Sequence, residues 1–262
     1  MIGSLFSGIG GLELGLERAG LGAVAWQVEC DPFCLRVLAR HWPHAKRFDD
    51  VRAVSAANLL PVDGICGGFP CQDVSSAGRR AGLDGARSGL WFEYARIISE
   101  LRPRWVIVEN VTSGERAWLP RVQHDLVSAG YRTEAIRLGA VDVGAPHRRM
   151  RTFVLAVGNA DAQRQHQSQG SQSDQRRRTQ DAGRSHAQRS MGGNAHGPPP
   201  GLDGHRWPAG RGEAQYEGEP PRVARRGEIP ENAARLRALG NAVVPQVAEM
   251  IGRRMLVMLE AS

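Results

Sequence analysis

The chain has 262 residues, 41% of them hydrophobic, which is enough core for one large α/β domain with something small attached. Four cysteines, with no signal-like leader and no long apolar run, point to a soluble protein of a reducing compartment and away from a membrane-spanning one. The net charge of +7 is almost all arginine, since Lys46 is the only lysine; it favours a phosphate-bearing partner, although a GC-rich genome would enrich arginine too.

Residues 2–6 form a short apolar strand that runs into Ser7-Gly8-Ile9-Gly10-Gly11. Leu12, Leu14, Leu16 and Ala19 then follow a helical pattern closed by Gly20. Strand, glycine turn and helix N-terminus form an arrangement whose backbone N–H groups face a ligand. It is not the dinucleotide fingerprint, because Glu13 stands where G-x-G-x-x-G requires its last glycine. Ala23 to Val28 reads as a second strand ending in Glu29. A carboxylate there either accepts the two hydroxyls of a ribose or leads the next helix, Pro32 to His41. Asp49-Asp50-Val51 follows that helix. An apolar run ending Asp63-Gly64-Ile65-Cys66 reads as a short buried strand.

That strand delivers Gly67-Gly68-Phe69-Pro70-Cys71-Gln72 to the sheet edge. The glycines permit a sharp turn and Pro70 fixes φ beside the sulfur. Cys71 is therefore either a small residue packed in a turn or an exposed nucleophile. Cys30, Cys34, Cys66 and Cys71 lack C-x-x-C spacing, so no metal site is expected. Ser75 to Leu83 is small, polar and basic: either a lid carrying Arg79 and Arg80 toward phosphates or a solvated loop. Leu90 to Ile98 predicts an amphipathic helix, and Arg104 to Val108 a buried parallel strand that presents Glu109 directly after it. A carboxylate there is costly to bury unless paired or protonated. It either holds a proton for a substrate or pairs with Arg102 or Arg104. Tyr131 to Val141 and Arg151 to Val157 read as two more strands, and the basic stretch between them faces solvent or meets an anion.

From Asn159 to about Gly197 large apolar residues nearly vanish, which predicts a disordered or weakly ordered basic linker. Residues 198–228, with Leu202, Trp207 and Tyr216, predict a small irregular unit. A helix over Ala233 to Leu239 and another opened by Pro245 close the chain.

Phe6-Ser7-Gly8-Ile9-Gly10-Gly11, Gly68-Phe69-Pro70-Cys71-Gln72, Glu109-Asn110-Val111, Arg149-Met150-Arg151 and Gly240-Asn241-Ala242-Val243 resemble, in order, the motif series of DNA (cytosine-5) methyltransferases. The resemblance covers most of residues 1–157 and again about 229–262. It implies a Rossmann-like α/β sheet for S-adenosylmethionine-dependent methyl transfer, with a small, irregular, reduced target-recognition region. The domains would be a catalytic and cofactor-binding domain over 1–157, a polar linker with the reduced region over 158–228, and a segment over 229–262 that returns to the first.

By the same resemblance, Phe6, Ser7, Gly8, Ile9, Gly10, Gly11, Glu29, Cys30, Asp50, Val51, Pro70, Leu90, Asn241 and Val243 bind the cofactor S-adenosyl-L-methionine. Phe6 would lie against the adenine, and Asp50 would accept from its exocyclic amine. Cys71, Glu109, Arg149 and Arg151 would be the catalytic set, with Arg151 at the O2 edge of cytosine and Arg149 at a phosphate or the cysteine loop. His147 stands where the family has glutamine, and Met150 where an acid is common. The partner would be double-stranded DNA, in restriction-modification or in phage or host DNA protection, with a cognate restriction endonuclease. The protein would be a cytoplasmic monomer, prokaryotic or phage-encoded. Three other readings stay open: a transfer RNA cytosine methyltransferase, a catalytically degenerate DNA-binding homologue, and a Cys66/Cys71 redox enzyme.

Overall fold

A computed structural model describes residues 1–70, 89–159, 214 and 230–262. Cys71, the Ser75–Leu83 stretch and nearly all of 158–228 lie outside the described residues. Seven strands make one sheet: β1 (Ile2–Leu5), β2 (Val24–Val28), β3 (Lys46–Phe48), β4 (Gly64–Gly67), β5 (Trp105–Val111), β6 (Tyr131–Leu138) and β7 (Arg151–Gly158). Their order is β3-β2-β1-β4-β5-β7-β6. The first five are parallel, whereas β7 runs antiparallel to both β5 and β6. The strand order reverses between β1 and β4, which opens a crevice at their carboxyl ends.

The central strands are apolar on both faces, as buried parallel strands must be. Because side chains alternate, Val106 and Val108 of β5 enter one core while Trp105 and Ile107 enter the other. The first core is roofed by α3 (Leu90–Leu101) and α4 (Glu115–Ser128), which contribute Trp91, Tyr94, Trp118 and Val122. The second is covered by α1 (Gly11–Arg18), α2 (Pro32–His41) and α6 (Pro245–Glu260), through Leu12, Leu16, Leu38, Ile251 and Met255. Helix α6 therefore lies on α1, although more than two hundred residues separate them. Helix α5 (Asn232–Asn241) immediately precedes it. No helix among the described residues is long and apolar enough to cross a membrane.

Four elements depart from the sequence reading. Strand β5 continues through Glu109 and Asn110, because β7 pairs with it as far as Val111–Arg151. Glu109 thus sits inside a strand, opposite Phe153. Strand β6 stops at Leu138, where Asp142 accepts from the Gly139 amide at 2.8 Å and turns Ala140–Val143 into a 3-10 helix. Helix α4 and the short edge strand β3 have no counterpart among the elements expected from sequence. Pro120 interrupts the helical pattern of α4, and β3 has only three residues, two of them basic.

Candidate active site

The carboxyl ends of β1, β2, β4 and β5 surround a cleft of about 680 Å³. On its β1–β2 side the chain leaves Leu5 through Phe6 and Gly8, both at φ 56. The Ser7 amide donates to Val28 O at 3.1 Å. Glu29 fixes the turn from the next strand: one carboxylate oxygen accepts from the Gly8 amide at 2.7 Å, the other from the Asp31 amide at 2.9 Å. Asp31 in turn caps α2 by accepting from Phe33 and Cys34. A Cβ on Gly8 would meet nothing within 4 Å, so this turn faces open space. Gly11 is tighter: a Cβ there would stand 2.2 Å from the Val243 carbonyl oxygen, so only glycine lets the segment after α5 close onto the turn.

The β4–β5–β7 side holds the acid. Glu109 is 8% exposed and its Oε1 lies 2.8 Å from Arg151 Nε, a pair across adjacent strands. The arginine differs from the two proposed as structural partners, Arg102 and Arg104. Burial raises the Glu109 carboxyl to about 7, against the opposing pull of Arg151 and then Arg149. Its Oε2 occupies the place where a Cβ of Gly68 would stand, 2.4 Å away, so the carboxylate covers the root of the cysteine loop. Asn110 donates to the Phe69 carbonyl at 3.1 Å, and Phe69 packs its ring against Trp91 and Trp118. The chain is thus pinned two residues before Cys71.

Arg149 is placed otherwise than expected. Its guanidinium donates to the carbonyls of Leu239, Gly240 and Ala242 at the end of α5. Cys66 is wholly buried in β4, and burial pushes its thiol well above its ordinary value. A thiol so buried is a poor nucleophile, which counts against the Cys66/Cys71 redox reading.

Comparison with known proteins identifies the fold's relatives. A model of the C-5 cytosine-specific DNA methylases matches residues 1–197. The chain belongs to that family. Type II methyltransferase M2.BsuMI of Bacillus subtilis is 37% identical over 161 residues, covering 58% of this chain and 41% of the relative. Type II methyltransferase M.AquIA of Picosynechococcus is 33% identical over 177 residues, covering 60% of this chain and 70% of the relative. A crystal structure described as a candidate DNA modification methyltransferase from an Escherichia coli prophage superposes with a TM-score of 0.50 at 32% identity, over 60% of this chain and 46% of that one. Against most of these methylases the chain spans less than half of their length.

Set against the methylase expectations, Phe6, Ser7, Gly8, Gly11, Glu29, Cys30, Asp50, Val51, Pro70, Leu90, Asn241 and Val243 all line the cleft, together with Glu109 and Arg151. Ile9, Gly10 and Arg149 do not line it. Asp50 keeps one oxygen on the Arg52 amide at 2.9 Å, which leaves the other for a ligand. The donor set suits S-adenosylmethionine: an open glycine turn, a carboxylate with spare lone pairs at the end of β2, and a second at the cleft mouth. The sequence reading missed Arg237, which lines the cleft and pairs with Asp31 at 2.9 Å. It also gave no role to Glu13 and Gln27. Both are fully buried, and the Glu13 carboxyl faces Ser4, Ser7 and Gln27. Burial raises the Glu13 carboxyl above its ordinary value.

Proposed function

We propose that this chain transfers a methyl group from S-adenosylmethionine to C5 of cytosine in double-stranded DNA. The observation that carries the reading is Glu109, buried against Arg151, near neutrality in pKa and seated on the root of the Cys71 loop. C5 of cytosine is a poor nucleophile, so the ring must first be activated. The Cys71 thiolate adds at C6, and the displaced electron pair moves toward C5. Glu109 gives a proton or a hydrogen bond at N3, which relieves the charge that develops on the ring. Arg151 orients Glu109 and reaches the O2 edge.

Glu29 would hold the ribose hydroxyls, Asp50 the adenine amine, and the Ser7–Gly8 turn the methionine end. When bound, the cofactor supplies the electrophilic methyl. After transfer a base removes the C5 proton and the thiolate leaves. A cytosine stacked in a duplex cannot reach this cleft, so the base is flipped out. Cytoplasmic action within restriction-modification or phage and host DNA protection, as a monomer and beside a cognate endonuclease, completes the proposal.

The test is transfer of labelled methyl from S-adenosylmethionine to duplex DNA and, in parallel, to transfer RNA, with wild type beside Cys71→Ala. Label on DNA cytosine that disappears in the variant supports the proposal. Label on RNA alone moves the substrate to RNA, and cofactor binding without transfer to either marks a degenerate copy.

A further inference from the structure

Arg149 stands two residues before the Arg151 that pairs with Glu109, at φ 38, in left-handed backbone that a non-glycine residue keeps only where its surroundings hold it. Its Nε donates to the Ala242 carbonyl at 3.0 Å. Its Nη2 reaches the Gly240 and Ala242 carbonyls at 2.6 Å each and Leu239 at 3.3 Å. Leu239 and Gly240 belong to the last turn of α5 and Ala242 is its C-cap, so these carbonyls sit at the negative end of the helix dipole, where the Leu239 oxygen also takes a backbone amide, that of Ala242 at 3.3 Å. A planar guanidinium fork matches several such acceptors at once. Asn241, Ala242 and Val243, at the end of α5 and just past it, form one wall of the cleft, with Val243 against Gly11. The other ties of α5 to the first domain include Arg237 to Asp31 and Arg36 to Glu231, ion pairs between exposed arginines and partners that are at best partly covered. Pairs of that kind hold weakly.

We propose that Arg149 is the latch of the cofactor wall: a positioning residue that holds Asn241, Ala242 and Val243 against the glycine turn, and not a contact to nucleic-acid phosphate. The idea rests on the cofactor reading of the cleft given above. It sets the wall's position from the same strand end that carries Arg151, so the cofactor side and the acid side share one reference point.

The full chain, wild type beside Arg149→Ala and Arg149→Lys, would be compared in three ways. These are the Kd of S-adenosylhomocysteine by calorimetry, hydrogen exchange at the Ala242 and Ala248 amides without cofactor, and the salt dependence of DNA binding. Arg149→Ala is expected to weaken cofactor binding roughly tenfold or more and to speed exchange at both amides. The slope of DNA affinity against salt should not move. Arg149→Lys should fall between, since lysine keeps a charge at the helix end without the fork. Unchanged exchange and cofactor affinity, together with a slope reduced by about one phosphate contact, would overturn the latch. Should Arg149→Ala not fold, Arg149→Lys carries the same comparison. A wild type that binds no cofactor counts against the proposed function, and the latch is then judged on exchange alone.

Discussion

Glu29 and Glu109 are the same residue type at the same edge of one sheet, yet they are built for different work. Glu29 directly follows β2 and accepts at one oxygen each from two backbone amides, those of Gly8 and Asp31. It is fixed as a scaffold on the wall of the cleft. Glu109 lies within β5, covered on one side by β7, and its charged partner is the Arg151 side chain. Burial outweighs that partner, and the carboxyl rises to about 7. Two amide donors hold Glu29 in place, whereas one arginine in a buried slot leaves Glu109 a carboxyl that can exchange a proton near neutral pH.

The sharpest way to break this contrast is Glu109→Gln. If Glu109 is the proton donor, methyl transfer should fall by roughly 10²–10⁴-fold while S-adenosylhomocysteine affinity stays within about twofold. A loss confined to cofactor binding would erase the distinction.

Stability against pH probes the same group. A carboxyl raised in the folded state binds its proton more tightly there than in the unfolded chain. Its contribution is therefore complete below the unfolded value of 4.5 and is lost as pH rises through about 7. Between those limits wild type should lose on the order of 3 kcal/mol from this group, and Glu109→Gln should remove that part of the slope in denaturant titrations. The smallest effect is expected at Glu29. Glu29→Gln leaves an acceptor for only one of the two amides and should weaken cofactor binding roughly tenfold, with the rate at saturating cofactor nearly unchanged.

Much of this was legible in the sequence because the signals were local. An apolar run before Gly67, β-branched residues before Glu109 and a proline opening α6 each report on a few neighbouring residues. The series of short motifs gave their order, and the cleft gathers nearly all of them. What stayed hidden depends on distant partners. Nothing near Val108 shows that β7 will extend β5 past Glu109. Nothing near Arg149 shows that the end of α5, about ninety residues later, will supply its acceptors. Arg237 was unreadable for the same reason, since its partner Asp31 lies 206 residues away. Helix α4 failed differently, because Pro120 and its many polar residues blur a pattern that only Trp118, Val122 and Leu126 sustain.

The packing of α6 on α1 has a consequence for synthesis. A ribosome finishes Glu109 and Arg151 long before it delivers Val247, Ile251 and Met255, the residues that cover Leu12 and Leu16. Until then the first helix of the fold has no roof, and the wall beside Gly11 does not exist. A nascent chain can thus carry Glu109 and Cys71 before the cleft wall beside Gly11 exists. The late closure also joins contacts of very long sequence separation, the kind that slow folding most. The cover over Leu12 and Leu16 forms only once α6 has been made.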